Sequence, residues 1–255
     1  MAKLQQRQAN GMVTNLTTEQ FDKLREDSVN ASVGSLDGAD CDICHNKGYV
    51  ASVVNGSLQT RECVCMAKRR GLKRIKDSGL SDRMAECTFK AYETPEPWQV
   101  DAKAKAESYA ADSKGKWFLA SGSVGSGKTH LCTAICGELL EHGKSVRYMR
   151  WRDDSVRLKS SVNDDGYESL IAPYQKCQAL YIDDLFKGGA TDADKKLAFQ
   201  ILDYRYGNRN LATIISTEKT PEELLVIDEA VGSRIWARSK ESCVVVSGKH
   251  NWRLK

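Results

Sequence analysis

The segment Trp117–His130, WFLASGSVGSGKTH, constrains the fold of this chain more than any other stretch. Its apolar start, Trp117–Ala120, is typical of a buried β-strand, and the residues after it match the pattern G-x-x-x-x-G-K-[ST] at every required position. The glycines let backbone N–H groups turn inward around a phosphate, and the helix that follows adds unpaired donors and the positive end of its dipole. The segment therefore predicts a strand, a phosphate-binding loop and a helix in direct succession.

This loop also predicts roles for individual side chains. Lys128 is expected to reach the β- and γ-phosphates of bound ATP, and the Thr129 hydroxyl is expected to take one coordination position of Mg²⁺. The alternative is a Gly/Ser-rich loop that matches by accident, but strand and helix both stand where the motif needs them. The predicted nucleotide-binding residues of this segment are Gly122, Ser123, Val124, Gly125, Ser126, Gly127, Lys128, Thr129 and His130.

From Lys116 onward, strand-like and helical segments alternate, which is typical of an α/β fold with a parallel sheet and crossover helices. The buried run Ala179–Ile182 ends in two acids, at the carboxyl edge where open α/β sheets bind ligands. We expect Asp183 to hold Mg²⁺ through its water shell and Asp184 to polarise the attacking water. The alternative for two acids after a strand is the N-cap of a helix.

Other candidates lie further along the chain. Thr217, at the polar end of the buried strand Leu211–Ser216, is either a sensor of the γ-phosphate or part of an ordinary strand end. In an oligomeric ATPase, one arginine reaches a neighbour's γ-phosphate and another contacts nucleotide in its own subunit. Arg234, placed at the end of a predicted helix, and Arg253 are the candidates, with solvated arginines as the alternative.

Nine cysteines in a chain without a secretory signal point to thiols and metal ligands rather than to disulfides. Two strand-like runs joined by Asn55-Gly56 predict a hairpin with a two-residue turn, which brings together one cysteine pair before it and one after it. Four thiolates in a tetrahedron are typical of a structural zinc ribbon, and an iron–sulfur cluster uses the same ligands. Unligated cysteines are the other alternative, and His45 is interpreted as a loop residue. The predicted metal ligands are Cys41, Cys44, Cys63 and Cys65.

Shifts in composition, together with residues that break helices and strands, divide the chain into four predicted segments. Residues 1–40 are predicted to be mobile or to hold a helix that docks on a partner or on the next module. This short helix is capped by Thr17 or Thr18 and carries Phe21 and Leu24 as its apolar stripe. Residues 41–80 hold the cysteine module and a basic helix. This helix faces a nucleic-acid strand, an acidic partner surface or solvent, and the net charge of +4 permits each of these. Residues 81–98 are predicted to be a linker and 99–255 the larger domain.

No apolar run approaches a membrane span, and the start MAKLQQRQANG lacks the apolar core of a signal peptide. We therefore expect a cytoplasmic protein with no membrane partner.

The order of these motifs resembles the bacterial helicase loaders of the DnaC/DnaI type. The resemblance covers the chain from Phe89 onward. It is carried by Thr88–Tyr92 together with GSVGSGKTHL, LYIDDL, IISTEKTPEEL, the GSRI segment and the terminal NWR. These loaders are AAA+ P-loop ATPases related to the initiator DnaA. The resemblance implies that Asp183 and Asp184 form the Walker B pair, that Arg234 is the arginine finger and that Arg253 is sensor 2. It also implies an N-terminal zinc domain that grips the replicative helicase.

This chain departs from many of those relatives at two places. It has Asp183-Asp184 where they carry Asp-Glu, and Ser216-Thr217-Glu218 where they carry Thr-Ser-Asn. Slow or partner-gated ATP turnover would suit these departures, as in a switch rather than a motor.

The resulting hypothesis is an ATP-dependent loader of a ring-shaped, DnaB-type replicative helicase. It assembles as a homo-oligomer through the ATPase domain and binds single-stranded DNA, with Lys187 as a candidate contact. Three alternatives are an IstB-like transposition helper, a nucleotide-sensing adaptor without turnover and a small-molecule kinase. IstB-like helpers commonly lack a cysteine module, and nothing after Asp184 suggests the paired-arginine lid of a kinase.

Overall fold

The computed structural model describes residues 17–37, 40–77 and 81–246. The chain divides into two compact units, Met1–Met66 and Ala67–Lys255. In the described ranges, none of the helices combines the length and the apolar character needed to cross a lipid bilayer.

The first unit is a helix packed on a β-hairpin. Its elements are α1 (Thr18–Ala31), β1 (Tyr49–Val54) and β2 (Ser57–Glu62). The strands pair antiparallel, and Asn55 (φ 51°) and Gly56 (φ 72°) both take the left-handed conformation that a tight hairpin turn needs, as the Asn-Gly pair predicts. The helix α2 (Cys65–Asp77) begins at the end of this unit and carries the predicted basic run.

Helix α1 begins at the predicted cap, since the Thr17 side chain accepts a hydrogen bond from the Gln20 N–H. Its predicted apolar stripe is wrong, because Phe21 and Leu24 are each 53% exposed. The helix contacts β1 through polar groups instead. The Asn30 side-chain amide exchanges two hydrogen bonds with the backbone of Ala51, with distances of 2.9 and 2.8 Å, as a neighbouring strand would.

The second unit is built on a five-stranded parallel sheet. Its strand order is β4-β5-β6-β3-β7, and β3 leads directly into the phosphate loop. The strands are β3 (Trp117–Gly122), β4 (Val146–Arg150), β5 (Ala179–Asp183), β6 (Ala212–Thr217) and β7 (Cys243–Val246). The helices are α3 (Ser81–Glu86), α4 (Pro97–Ala111), α5 (Lys128–Glu141), α6 (Trp151–Ser160), α7 (Tyr167–Lys176), α8 (Asp192–Gly207), α9 (Pro221–Ile227) and α10 (Glu229–Ser239).

Helices cover both faces of this sheet, which confirms the predicted α/β class. Phe118 and Ala120 of β3 pack in one apolar cluster with residues of α4 and α5. Trp117 and Leu119 pack in a second cluster with residues of α6 to α10. Because successive side chains of a strand point to opposite faces, a strand buried on both sides is apolar along its whole length, as β3 is.

The structure differs from the sequence expectations in three places. The sequence after β4 indicates one longer polar helical region, whereas the structure has two helices there, α6 and α7, separated by a turn around Gly166. Arg234 lies in the middle of α10, because the Asp228 side chain caps the N-terminus of that helix and places its start at Glu229. The predicted linker 81–98 contains α3, and its residues Phe89 and Tyr92 pack into the core.

Candidate functional site

The phosphate loop connects the buried strand β3 to α5 and has the backbone its sequence predicts. Gly125 (φ 74°) and Gly127 (φ 86°) are both in the left-handed region, where other residues are strained. Gly122 (φ 120°) also has no room for a side chain, since a Cβ there would lie 2.1 Å from the Val246 carbonyl oxygen. The Ser126 hydroxyl donates to the Ser123 carbonyl at 2.8 Å and closes the loop on itself. The loop therefore requires glycine at Gly125 and Gly127 for its backbone conformation and at Gly122 for its close packing.

Lys128 begins α5 and is almost entirely buried, with 7% of the residue exposed. Its Nζ donates to the carbonyl oxygens of Gly122 at 2.8 Å and of Ser123 at 2.7 Å. Burial lowers the pKa of Lys128. The ammonium group thus lies against the loop. Burial disfavours its charged form, and the negative charge of a bound phosphate would favour it again.

A cleft of about 390 Å³ opens at the carboxyl edge of the sheet, in front of this loop. It brings together most of the residues that the sequence assigns to nucleotide and magnesium. Its lining contains Val124, Gly125, Ser126, Gly127, Lys128, Thr129, His130, Asp183 and Asp184, and in addition Arg83, Lys187 and Glu218. The volume and the mixture of N–H donors, ammonium and carboxylate groups suit a nucleotide phosphate chain with a divalent cation.

Asp183 is held by three hydroxyl groups. Tyr148 donates to its Oδ2 at 2.7 Å, and Tyr181 and Ser216 donate to its Oδ1 at 2.7 and 2.6 Å. A carboxylate has about four acceptor sites. Three are used in this arrangement, so one acceptor site is left for a water molecule of a Mg²⁺ shell. The donor set therefore fits the magnesium role, with Thr129 in the same cleft.

The next acid, Asp184, adopts a left-handed backbone conformation (φ 59°). Its N–H donates to the Ser216 hydroxyl at 3.0 Å, and its carboxylate pairs with Lys187 at 2.8 Å. Asp184 is partly exposed to the cleft, so a water molecule can approach its free oxygen.

The structure does not bring Thr217 into the cleft. This residue is fully buried, its hydroxyl donates to the Leu185 carbonyl at 2.8 Å and it accepts the Lys219 N–H at 3.1 Å. Glu218, one residue later, lines the cleft instead, because neighbouring residues along an extended segment point in opposite directions. Glu218 thus lies where the sequence placed a γ-phosphate sensor.

A second, smaller cavity of about 190 Å³ adjoins the loop and is lined by Tyr92, Gln99, Gly127 and His130, among others. The rings of Tyr92 and His130 meet edge to face at 5.2 Å, and His130 Nε2 forms a 2.9 Å hydrogen bond with the Thr88 carbonyl. Burial raises the pKa of Tyr92 to about 12, so its ring stays neutral. An aromatic, mostly apolar cavity next to a phosphate loop suits the flat base of a nucleotide.

Of the two predicted arginines, the structure describes only Arg234. Arg234 is partly exposed and donates to Asp203 Oδ1 through Nε at 2.9 Å and Nη2 at 2.8 Å, while its guanidinium lies 4.8 Å from the Phe199 ring centre. It does not line the cleft of its own chain, so any contact with nucleotide would be with that of a neighbour. Arg253 lies outside the described residues.

The first unit contains the predicted cluster of four cysteines, Cys41, Cys44, Cys63 and Cys65, with all four Sγ atoms within 4.8 Å of one another. Two Sγ–Sγ distances are 3.8 Å (Cys41 to Cys63) and 3.5 Å (Cys44 to Cys65). A zinc ion with Zn–S bonds of about 2.3 Å spaces its four sulfurs about 3.8 Å apart, so these thiols fit zinc.

Within this cluster, Cys44 is fully buried, and its Sγ accepts a hydrogen bond from the Gly48 N–H at 3.4 Å. Although burial opposes it, this hydrogen bond and the neighbouring thiols lower the pKa of Cys44 to about 6. A thiol that ionises easily is a good metal ligand.

Sequence reasoning missed several residues that line the cleft or support a residue of its lining. Tyr148, Tyr181 and Ser216 hold Asp183, but they lie on three strands and no local motif connects them. Arg83 enters the cleft lining from α3, within the predicted linker. The sequence suggests Lys187 only as a candidate contact for single-stranded DNA, whereas the structure places it in the lining of the cleft. The available signal was the hydroxyl group that tyrosine and serine place within strands that are largely buried.

Comparison with known proteins identifies the family of this chain. The family described as IstB-like ATP binding protein matches residues 54–255. The Bacillus subtilis (strain 168) proteins YqaM and XkdC, the second described as a phage-like element PBSX protein, are 32% and 30% identical over 74% and 82% of this chain. The chain spans 64% of the length of the first and 83% of the second. The replicative helicase loader DnaC of Escherichia coli (strain K12) is 28% identical over 71% of this chain and 75% of its own length.

Solved structures share the fold of the second unit. The crystal structure of the DnaC helicase loader superposes with a TM-score of 0.59 at 23% identity, over 65% of this chain and 99% of that one. The replication initiator DnaA, bound to AMPPCP and single-stranded DNA, superposes with a TM-score of 0.55 at 20% identity, over 65% of this chain and 51% of that one. These likenesses agree with an AAA+ arrangement of the sheet and helices.

Proposed function

Because the chain belongs to the family of IstB-like ATP binding proteins, which are AAA+ ATPases, we propose that it is an ATP-dependent loader of a ring-shaped, DnaB-type replicative helicase. The observation that carries the proposal is the cleft in which the phosphate loop, Asp183 and Asp184 meet, in a chain that also holds a four-cysteine cluster. The name of the Escherichia coli relative, replicative helicase loader, supports the same activity.

The residues of the cleft divide the work of ATP hydrolysis among them. Backbone N–H groups of the loop and Lys128 bind the phosphates, while Thr129 and Asp183 hold Mg²⁺, which neutralises phosphate charge when bound. Asp184 accepts a proton from the water that attacks the γ-phosphorus, as the bond to the ADP oxygen breaks. Lys187 pairs with one oxygen of this carboxylate at 2.8 Å, so the water is activated by the other oxygen.

Assembly completes the site in this proposal. Arg234 of one subunit reaches the γ-phosphate in the next, so ATP favours an edge-to-edge homo-oligomer. Arg253 contacts nucleotide within its own subunit. Single-stranded DNA is bound along the assembly mainly through its phosphates, and ATP hydrolysis releases the loader from the helicase.

The four-cysteine unit grips the helicase in this proposal, with zinc as its structural ion. A unit of this size has little apolar core, since its described buried apolar residues are Cys44, Ala51 and Cys63. Metal binding would therefore supply most of its folding free energy. The fit of the sulfur spacing to zinc supports this assignment.

The decisive experiment is helicase deposition on single-stranded DNA by wild type and by Lys128→Ala, with ATP present. We expect Lys128→Ala to lose deposition because it lacks the cation that binds the phosphates. Deposition by Lys128→Ala at wild-type efficiency would show that nucleotide binding is not the switch. A pull-down with ATP identifies the partner directly, and a hexameric helicase is the expected protein.

The family name itself favours one alternative, an IstB-like transposition helper. Preference for duplex over single-stranded DNA, with a transposase and no helicase in the pull-down, would support this alternative. Tight ATP binding without turnover under any combination of helicase and DNA would support a nucleotide-sensing adaptor instead.

A further inference from the structure

Lys187 is held in the nucleotide cleft by an unusual turn. Asp184 (φ 59°) and Phe186 (φ 58°) are both left-handed without being glycine, and the Lys187 N–H donates to the Asp184 carbonyl at 3.0 Å. Each such residue is strained, so the turn persists only where its surroundings fix it. Leu185 and Phe186, which lie between Asp184 and Lys187 in the sequence, are fully buried. Their burial is one constraint that fixes the turn.

Hydrogen bonds to β6 supply the others. The Asp184 N–H donates to the Ser216 hydroxyl at 3.0 Å, and the Leu185 N–H donates to the Ser216 carbonyl at 2.9 Å. The Thr217 hydroxyl donates to the Leu185 carbonyl at 2.8 Å. The turn that carries Asp184 and Lys187 is therefore fastened to the strand that leads directly into Glu218.

The result is a cation between two acids at the wall of the cleft. Lys187 Nζ lies 2.8 Å from Asp184 Oδ2 and 3.2 Å from Glu218 Oε1, and all three residues line the cleft with Lys128. The hydrogen bond that Lys187 donates to Asp184 raises the pKa of Lys187, so the amine stays charged. Each side chain is about a third exposed, and ion pairs of this kind contribute little to stability. Folding stability is therefore a weak reason for such a fastened arrangement.

Charge gives a better reason. A nucleoside triphosphate brings one more anionic phosphate to the cleft than a diphosphate does. Asp184 and Glu218 would repel that phosphate, whereas Lys187 offsets one of their two negative charges from the same wall. A lysine ammonium has three N–H donors, and the contacts to the two acids use two of them.

We propose that Lys187 is a second phosphate-binding lysine, held by Asp184 and Glu218, which donates its third N–H to the terminal phosphate and makes the cleft prefer ATP to ADP. The inference rests on the proposed function only in requiring that this cleft binds ATP. It gives Glu218 a role as well, since this acid positions the lysine.

The test compares the affinities of full-length variants for Mg²⁺-AMPPCP, which is not hydrolysed, and for Mg²⁺-ADP by isothermal titration calorimetry. Lys187→Gln should weaken AMPPCP about tenfold, which equals about 1.4 kcal/mol, and change ADP affinity by less than about twofold. Adding Glu218→Gln to Lys187→Gln should restore much of the AMPPCP affinity, because the repelling charge is then gone.

Lys195→Gln is the matched control, since Lys195 pairs with Asp192 at 3.2 Å through the same three-residue spacing but does not line the cleft. It should leave both affinities unchanged. Equal weakening of AMPPCP and ADP by Lys187→Gln, or no weakening of either, would overturn the assignment. If the wild type binds AMPPCP and ADP but loads no helicase, only the loader function fails. If it binds neither nucleotide, both proposals fail.

Discussion

The hydroxyl of Tyr148 donates a 2.7 Å hydrogen bond to Asp183, the acid assigned to Mg²⁺, from 35 residues away in sequence. The two residues lie on neighbouring parallel strands, where Tyr148 pairs with Tyr181 in the register of β4 and β5. The aromatic rings of Tyr148 and Tyr181 lie 5.2 Å apart, and both hydroxyls reach the same carboxylate. The orientation of Asp183 therefore depends on the sheet register rather than on any local motif.

We predict that Tyr148→Phe raises the Mg²⁺ concentration needed for half-maximal ATP binding by about three- to tenfold, because groups that orient a metal ligand commonly affect metal affinity this strongly or more. It should also lower the free energy of unfolding by about 1–3 kcal/mol, since a hydrogen bond to a charged group is lost. Fluorescent-nucleotide binding over a Mg²⁺ titration and urea unfolding measure the two effects.

Tyr109→Phe is the control for this change, because its hydroxyl donates to the backbone carbonyls of Lys116 and Thr213 and not to the cleft. It should lose stability without changing the Mg²⁺ midpoint. An unchanged Mg²⁺ midpoint in Tyr148→Phe would show that Asp183 does not need this donor.

Substitution of two glycines should separate close backbone packing from simple backbone strain. Both Gly122 and Gly143 have positive φ, 120° and 75°, but a Cβ at Gly122 would lie 2.1 Å from the Val246 carbonyl oxygen, whereas Gly143 has open space around it. We expect Gly143→Ala to cost about 1 kcal/mol of unfolding free energy and Gly122→Ala at least about 3 kcal/mol, because β3 and β7 must separate. Denaturant unfolding measures both, and equal losses would contradict the packing argument.

Motifs that lie within one stretch of sequence were predictable. The strand, phosphate loop and helix from Trp117 onward, the Asn55-Gly56 hairpin and the spacing of the four cysteines each encode their geometry locally. Thr220 followed by Glu223 is the pattern of a capping box and likewise encodes the start of α9, where the Thr220 hydroxyl accepts the Glu223 N–H. These features need no knowledge of how distant segments meet.

The rest depended on which strands are neighbours. The sheet order places β5 between β4 and β6, and this order alone brings Tyr148 and Ser216 to Asp183. Whether Thr217 or Glu218 lines the cleft depends on where β6 ends and on the direction in which each side chain points. Nothing in the local pattern shows which of these two polar residues faces the cleft, which is why the sequence could not indicate Glu218.

Removal of one cysteine tests the metal cluster. We predict about one zinc ion per chain in wild type by inductively coupled plasma mass spectrometry, and loss of most of it in Cys63→Ser, because three thiols bind zinc less tightly than four. Cys87→Ser is the control, since Cys87 lies outside the cluster and should keep the full zinc content. Iron with an absorption band in the visible range would instead identify an iron–sulfur cluster.

Two inactive variants should restore activity when they are mixed. Lys128→Ala removes the phosphate-binding cation, and Arg234→Ala removes the group proposed to reach a neighbour's nucleotide, so each variant alone should lose nearly all ATP turnover. In a random mixture of equal amounts, about a quarter of the interfaces combine an intact loop with an intact Arg234. We therefore expect about a quarter of wild-type turnover in a coupled assay of phosphate release with helicase and single-stranded DNA present.

Asp203→Asn separates this role of Arg234 from a structural one. Asp203 is the acid that pairs with Arg234 at 2.8 Å, so the variant weakens the same contact within the subunit but keeps the guanidinium. Because that pair is partly exposed, its loss should change the unfolding free energy by less than about 1 kcal/mol. Turnover should then stay near the wild-type rate, whereas a loss as large as that of Arg234→Ala would mean that the ion pair, and not a contact across the interface, is what turnover requires.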